Sequence, residues 1–354
     1  MGGLEFAVPY NNDLETLREV FRFKEWNGNR ITEIYLSGPQ EFAGAGRIVP
    51  ALALDEFESL VKEIHSQGIR VNLLFNSICE GAEWYSASVL KSILEYLRKV
   101  HEDLGVEAIT IANPLYIREV RRHLPTIEIC ASVLGDVDCV QKAIIFRKAG
   151  ADVITPHVDI NRDLGLLARI KKITGARIKL MVNEGCLFRC PFRKFHFNYI
   201  SHKSRNPGPG RRVKAEDNVF SLNCIQLSKN DPSQILKSCW IRPEDLVKYE
   251  SITNNFKLVG RTSSKTMLLR SVRAYMDESW EGDLLELMAG NLYSLAMSQL
   301  LHLDNKSLDQ FNFFETAASC NKECSECSYC GSLVEKLLRR GLFTAGKMQD
   351  LGMQ

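Results

Sequence analysis

The sequence predicts an α/β protein: a (β/α)8 TIM-type barrel with a long insertion after its seventh strand and a helical, cysteine-rich C-terminal extension. Three observations carry this prediction. Short, nearly all-apolar runs recur along the first part of the chain, as parallel strands buried on both faces do. Amphipathic segments of helical period lie between them. Four glycines stand just ahead of a strand run, where a helix ends in a left-handed residue.

The strand runs, in order, are Leu4–Pro9, Ile31–Leu36, Ile69–Asn76, Ala108–Asn113, Ile127–Ser132, Val153–His157, Ile178–Asn183 and Phe256–Val259. The helical runs include Leu54–Gln67, Val89–Leu104 and Leu164–Thr174, and the capping glycines are Gly68, Gly105, Gly150 and Gly175. About 70 residues separate the seventh strand from the eighth. They contain Asn206-Pro207-Gly208-Pro209-Gly210, which fits neither a helix nor a strand interior. Connections of this length are usually functional, and this one leaves the strand end that forms the active-site face of a barrel. After Arg261, Ser263–Tyr275 and Asp283–Leu301 have helical patterns, and a final amphipathic helix is expected over Leu333–Arg340. The expected organisation is a barrel over residues 1–262, with its insertion at 184–255, then an extension over 263–354. An open doubly wound sheet is the alternative. No G-x-G-x-x-G follows the first strand, which weakens its dinucleotide-binding form. Gly44-Ala45-Gly46-Arg47 lacks the third glycine and reads as a flexible loop.

Composition excludes several classes. Of 354 residues 45% are apolar and 25% charged, and the net charge is +2, so no global pull toward nucleic acid or membrane exists. No run of about 18 apolar residues occurs. The N-terminus has neither a basic-then-apolar leader nor a myristoylation pattern at Gly2. A cytoplasmic location is expected, and there the 11 cysteines stay free or bind metal. Cys79, Cys130 and Cys139 stand alone among apolar residues and read as small buried hydrophobes.

The other eight cysteines form two groups. Cys186 and Cys190 follow the seventh strand, and Cys224 and Cys239 lie in the same insertion. Four thiolates suit an iron–sulfur cluster or zinc. Two surface and two core thiols is the competing reading. The second group is Cys320-x3-Cys324-x2-Cys327-x2-Cys330, which suits a second cluster or a structural zinc. Its first three members have the spacing of radical S-adenosylmethionine enzymes. There, however, the motif follows the first barrel strand, and here it lies near the C-terminus. Spacing leaves iron and zinc open.

Candidate catalytic residues are Glu184, beside Cys186; His157, at the rim of the sixth strand; and His196, after the cysteine pair. Candidate substrate contacts are Asn113 and Asn183 at strand ends, Arg193 closing the cysteine-bearing run, and Arg261, which suits a carboxylate or phosphate. Structural roles compete at each: loop-backbone bonding for the histidines and an ion pair for Arg261. Glu244 and Asp245 are explained by the first turn of a helix that Pro243 opens. His202-Lys203-Ser204-Arg205 and Arg211-Arg212-Val213-Lys214 form a basic loop, either a hold on an RNA backbone or a solvated segment. G-x-S-x-G and H-E-x-x-H are absent.

The run Asn183–Arg193, His196, Ser238-Cys239-Trp240-Ile241-Arg242-Pro243-Glu244-Asp245 and Phe256-Lys257-Leu258-Val259-Gly260-Arg261 together resemble the collagenase-like peptidase family U-32. The resemblance covers most of the chain and implies the same barrel. The family name implies proteolysis. Members of the ubiquinone-hydroxylation type, and others that hydroxylate tRNA or ribosomal RNA, imply instead a [4Fe–4S] protein in oxygen-independent hydroxylation. The Cys186-x3-Cys190 pair matches the quinone-pathway type, and Cys224 and Cys239 are offered as the remaining ligands by proximity. The expected function is therefore iron–sulfur-dependent modification of an RNA base or quinone-like aromatic substrate. The expected state is a homo-oligomer or a complex with a homologous subunit. Peptidase activity and a non-catalytic metal scaffold that docks a partner through the cysteine tail are the alternatives.

Overall fold

Apolar runs too short to bury themselves alone must pair laterally, and here they pair into a ring. The computed structural model describes residues 3–39, 45–50, 52–204, 219–290, 301–341 and 343–345. Its strands are β1 (Glu5–Pro9), β2 (Glu25–Trp26), β3 (Asn29–Ser37), β4 (Arg70–Phe75), β5 (Ala108–Ile111), β6 (Glu128–Ala131), β7 (Val153–Ile154), β8 (Arg177–Ile178), β9 (Leu180–Met181), β10 (Asn255–Lys257), β11 (Leu301–Leu303) and β12 (Phe343–Ala345). The main sheet runs β8-β7-β6-β5-β4-β3-β1-β10-β9, and every one of these pairings is parallel. β8 and β9 are two pieces of one strand on either side of Lys179. The first pairs with β7 and the second with β10, which closes an eight-stranded barrel. β2 is a short antiparallel flap on β3. All eight predicted barrel strands are present.

The helices are α1 (Leu14–Phe21), α2 (Leu54–Ser66), α3 (Ala87–Arg98), α4 (Pro114–His123), α5 (Val140–Ala149), α6 (Leu164–Thr174), α7 (Arg193–Ser204), α8 (Val219–Asn230), α9 (Ser233–Lys237), α10 (Lys265–Met276), α11 (Phe313–Ser319) and α12 (Tyr329–Arg339). Local chemistry sets their ends. Ser86, Asn113, Asp163 and Ser264 cap α3, α4, α6 and α10 by accepting N–H bonds from the first turn, and Pro114 fills the first helical position of α4. Gly68, Gly105, Gly150 and Gly175 all have positive φ, as the sequence predicts.

Two expectations need correction. The pattern Asp283–Leu301 is not one helix. Leu284–Leu287 is a single 3₁₀ turn, Met288 is extended, and Leu301 opens β11. Its apolar residues follow a buried irregular course, because Leu284, Leu285, Leu287 and Met288 all face the common core. That core is one apolar cluster reaching from Leu4 to Leu337, so it spans barrel and extension alike. Secondly, Cys79 and Cys139 are half-buried rather than enclosed. Gly44, Arg205, Asn206-Pro207-Gly208-Pro209-Gly210, Arg211-Arg212-Val213-Lys214 and positions 291–300 lie outside the described residues.

The barrel interior is not all aliphatic. Glu33 and Tyr35 of β3, Asn72 of β4, Thr110 of β5, Cys130 of β6, Lys179 and Lys257 of β10 are all buried. Lys179 Nζ donates to both oxygens of Glu33, each at 2.7 Å, between strands that are not neighbours in the sheet. Thr110 donates to Asn72 Oδ1 at 2.8 Å. A buried ion pair is tolerated only when it is well hydrogen-bonded, and here both Glu33 oxygens accept from Lys179.

Candidate functional site

The C-terminal ends of the strands form a mouth covered by α7. Serine hydroxyls lace that helix to the loops after β3 and β4. Ser204 Oγ accepts from the Ala45 N–H and donates to the Ala45 carbonyl, and Ser201 Oγ accepts from the Ile78 N–H. Phe197, on the same helix, is buried beneath. Tyr35, Arg47, Thr110, Glu184, Phe197, Lys257 and Arg261 line one cavity there.

Glu184 is the electrostatic centre of its rim. Its two oxygens accept from Arg193 Nη1 and Nη2, both at 3.4 Å, and Arg47 Nη2 lies 3.7 Å away. Burial alone would raise its pKa, but the two guanidiniums overcome this and hold it below the usual carboxylate range. It is thus an ionised anchor or base at neutral pH and not a proton donor. The Cys186 thiol donates to Glu184 Oε1 at 3.3 Å, and burial followed by that carboxylate pushes Cys186 up to about 12. Both guanidiniums lie 5.0 Å over the Phe197 ring.

His157 caps the turn Val158–Ile160 by accepting from the Asp159 N–H, so its loop-bonding role is realised. It also lies 3.3 Å from Asp159 Oδ2 and 3.6 Å from Asp136 Oδ1, and faces an open pocket shared with Cys190 and Arg193. Burial, ahead of Arg193, lowers its pKa, and burial raises that of Asp159. His196 is stacked 5.1 Å from Phe220, and burial pushes it down to about 4, so it is neutral at pH 7.

Asn183 does not face the mouth. Its amide donates to the Val259 and Leu287 carbonyls at 3.2 and 3.0 Å, and its oxygen accepts the Val259 N–H at 2.6 Å. It pins the strand end to β10 and to the extension. Asn113 is the cap of α4 and donates to Tyr85 OH at 3.2 Å.

The structure sorts the eight clustered cysteines differently from their order in the chain. Cys190 and Cys224 are hydrogen-bonded to each other, which favours the thiolate on Cys190 and holds the proton on Cys224. Cys186 lies near them through Glu184 and Arg193. Cys239 instead shares a largely apolar pocket with Cys320, Cys324, Cys327 and Cys330. The backbone that carries Cys239 is held firmly. Asn161 donates to the Cys239 carbonyl at 3.0 Å, and Arg162, 4.4 Å over the Trp240 ring, donates to the Trp240 carbonyl at 3.1 Å. The tail reaches this wall because α11 and α12 pack their apolar faces into the common core.

A single tetrahedral zinc needs thiolate sulfurs about 3.8 Å apart, from a Zn–S length of about 2.3 Å. Among the described residues, the one trio of metal-capable side chains drawn within 4.8 Å is Glu33, Glu128 and Cys130. There Glu33 belongs to Lys179, and Glu128 to Arg70 and Arg177, so that trio is a structural ion network. The two cysteine groups are more open than a lone ion requires. Their soft, partly exposed donor sets still suit a larger iron–sulfur unit.

The sequence gives no role at the mouth to Arg47 or Lys257 and does not pair Cys79 with His202, whose Sγ and Nε2 are 3.1 Å apart. Lys257 carried a signal, since a lysine inside a four-residue apolar strand must point somewhere buried. Arg47 and His202 carried none, because their loop and helix are placed only by tertiary packing.

The model of peptidase family U32 matches residues 19–316. The chain belongs to peptidase family U32. An uncharacterized protease of Methanocaldococcus jannaschii is 29% identical over 344 residues, covering 94% of this chain and 99% of that one. The structure of the U32 peptidase Mk0906 superposes with a TM-score of 0.53 at 20% identity, over 73% of this chain and 93% of that chain. That likeness supports the barrel. Among the described residues no helix is long and apolar enough to cross a membrane.

Proposed function

We propose that this U32-family chain is an iron–sulfur protein acting in oxygen-independent hydroxylation or related modification of an RNA base or quinone-like aromatic compound. The observation that supports this reading is the gathering of thiols at one end of the barrel. Cys186, Cys190 and Cys224 lie by the mouth, and Cys239 faces the four tail cysteines across one pocket. A [4Fe–4S] group would be held by the first set, by Cys239 with three tail thiolates, or one at each, and it supplies electron transfer when bound. The chain's own residues would act around the substrate. Glu184, fixed by Arg193, offers an ionised carboxylate; neutral His157 offers a ring nitrogen for proton movement between Asp136 and Asp159. Phe197 of α7 lines the mouth and narrows it.

Anaerobic purification followed by iron, sulfide and zinc analysis tests this. Iron and sulfide in equal amounts are expected. Cys190→Ser should remove mouth-bound iron while Cys324→Ser removes tail-bound iron. A colourless protein with stoichiometric zinc would end the redox reading and leave a zinc scaffold. Size-exclusion chromatography with and without a homologous subunit tests the expected assembly.

One observation favours peptidase chemistry as a second reading. The Cys79 thiol lies within hydrogen-bond reach of the exposed His202 imidazole, the arrangement of an activated nucleophile. Peptide hydrolysis that survives removal of all iron and is abolished in Cys79→Ala would establish it.

A further inference from the structure

We propose that the barrel mouth binds the carboxylate of a small apolar acid between Lys257, Arg261 and Arg47. This goes beyond the redox reading and is independent of it, since it uses no thiol.

The charges around the mouth do not balance. Five cations, Lys179, Lys257, Arg47, Arg193 and Arg261, lie in or around the mouth with two carboxylates, Glu33 and Glu184. Lys179 already occupies both oxygens of Glu33, and Arg193 occupies both oxygens of Glu184. Arg47 reaches Glu184 only as a third party, at 3.7 Å. Lys257 Nζ sits 3.8 Å over the Tyr35 ring, and Arg261 Nη1 donates to the neutral Ser37 hydroxyl at 2.7 Å. Among the described residues, neither Lys257 nor Arg261 has a carboxylate partner.

Both side chains are buried, at 8% and 7% exposure. A buried cation without a counter-charge is strongly destabilising and persists where something external supplies the charge. Burial depresses both groups, Lys257 to about 7 and Arg261 to about 10, as expected of cations short of an anion. All three line the same cavity of about 90 Å³, where Leu74, Leu134 and Val259 make an apolar wall and Asn76, Thr110 and Ser132 a polar one. Leu74, Leu134 and Val259 offer an apolar wall to a short hydrocarbon body, a contact that a phosphate lacks, and so favour a carboxylate that carries one. A guanidinium fork beside an ammonium is well matched to two carboxylate oxygens.

The test is calorimetric titration of the intact chain with isovalerate, isovaleramide and inorganic phosphate. Isovalerate should bind, and isovaleramide, of the same shape without the charge, should bind at least about tenfold more weakly. Lys257→Met and Arg261→Met should each weaken isovalerate by about tenfold or more. Affinity should also fall as pH rises from 6 to 9, as Lys257 loses its proton. The groups facing Lys257 are Lys179, Glu33, Tyr35, Cys130 and Arg261. Glu33 stays ionised, Lys179 and Tyr35 are shifted upward, and Cys130 is pushed up to about 11, so none of these changes charge in that window. Equal binding of acid and amide would overturn the proposal. So would wild-type affinity in both substituted chains, or phosphate binding tenfold tighter than isovalerate. Should Arg261→Met fail to fold, Lys257→Met decides, because it removes an unpaired buried charge.

Discussion

Replacing Lys257 by methionine should make the protein more stable at low pH, and by an amount that the structure lets one estimate. The side chain is buried, and its midpoint falls from its ordinary 10.5 to about 7, first through burial and then through repulsion from Lys179. Each unit of such a fall costs ~1.4 kcal/mol, so the penalty in the protonated state is ~5 kcal/mol. Methionine has a similar length and no charge, but it forfeits the contact with the Tyr35 face, worth ~1–2 kcal/mol. The net gain at pH 6 should be ~3 kcal/mol. With an unfolding entropy of ~0.7 kcal/mol/K for a chain of this length, the melting temperature should rise by ~4 °C. The sign against pH follows from the depressed midpoint. Below pH 7 both folded and unfolded chains carry the proton and the penalty is complete. Between about 7 and 10.5 the unfolded chain binds the extra proton, so wild-type stability climbs by ~1.4 kcal/mol per pH unit relative to Lys257→Met, and the advantage of the substitution disappears. The assay is thermal unfolding followed by circular dichroism from pH 6 to 10, in buffers free of carboxylate and phosphate. A lower melting temperature for Lys257→Met at pH 6, or a difference that does not change with pH, would refute the reasoning.

Three further outcomes are expected. Glu33→Gln should lower stability by ~3–5 kcal/mol, because it strands Lys179 inside the barrel, and adding Lys179→Met should recover most of the loss in a urea titration. Asn183→Ala removes three hydrogen bonds and leaves the Val259 N–H and carbonyl without their partner, while the Leu287 carbonyl keeps the Ser271 hydroxyl; the cost should be ~2–3 kcal/mol, and limited proteolysis should show the extension loosened from the barrel. Gly175→Ala should cost ~1–2 kcal/mol in the same titration from its φ of 62° alone, since an added Cβ there meets nothing within 4 Å.

The barrel was legible because its signals are local. Eight apolar runs and the glycines at 68, 105, 150 and 175 specify strand, helix and stop without reference to the rest of the chain, and each sits where it was placed. The seventh strand shows the limit of that reading. Its apolar pattern is right, but Lys179 divides it, because the lysine is drawn to Glu33 across the barrel rather than to any sequence neighbour. The same limit explains Asp283–Leu301. A helical spacing of leucines was present, yet Met288 and Ala289 follow an extended path beside the seventh strand, with the Ala289 N–H donated to the Asn183 carbonyl. Cysteine spacing grouped Cys239 with Cys186, Cys190 and Cys224, whereas Cys239 lines the pocket of the tail cysteines. Cys239 is 49 residues from Cys190 and 81 from Cys320, and it lies beside the farther one because α11 and α12 dock the tail against Trp240 and α9.

That docking places the two thiol groups on either side of one short stretch of backbone. Ser238 donates its hydroxyl to the Cys186 carbonyl at 2.7 Å, and its neighbour Cys239 turns into the tail pocket. Cys186 in turn donates to Glu184, which is held by Arg193 and neighbours Arg47 at the cation-lined cavity. From Cys239 to Glu184, every link is therefore a bonded neighbour or a hydrogen bond of named groups. A change of charge on the Cys186 sulfur would act directly on Glu184, and through its guanidinium partners on the mouth, because burial leaves little water to screen it. The thiol groups and the proposed carboxylate site need no moving part to influence one another. What the insertion contributes to the barrel is this placement: it carries Cys186 and Arg193 from the end of one strand to Glu184 at the mouth, and Cys239 to the pocket of the tail cysteines.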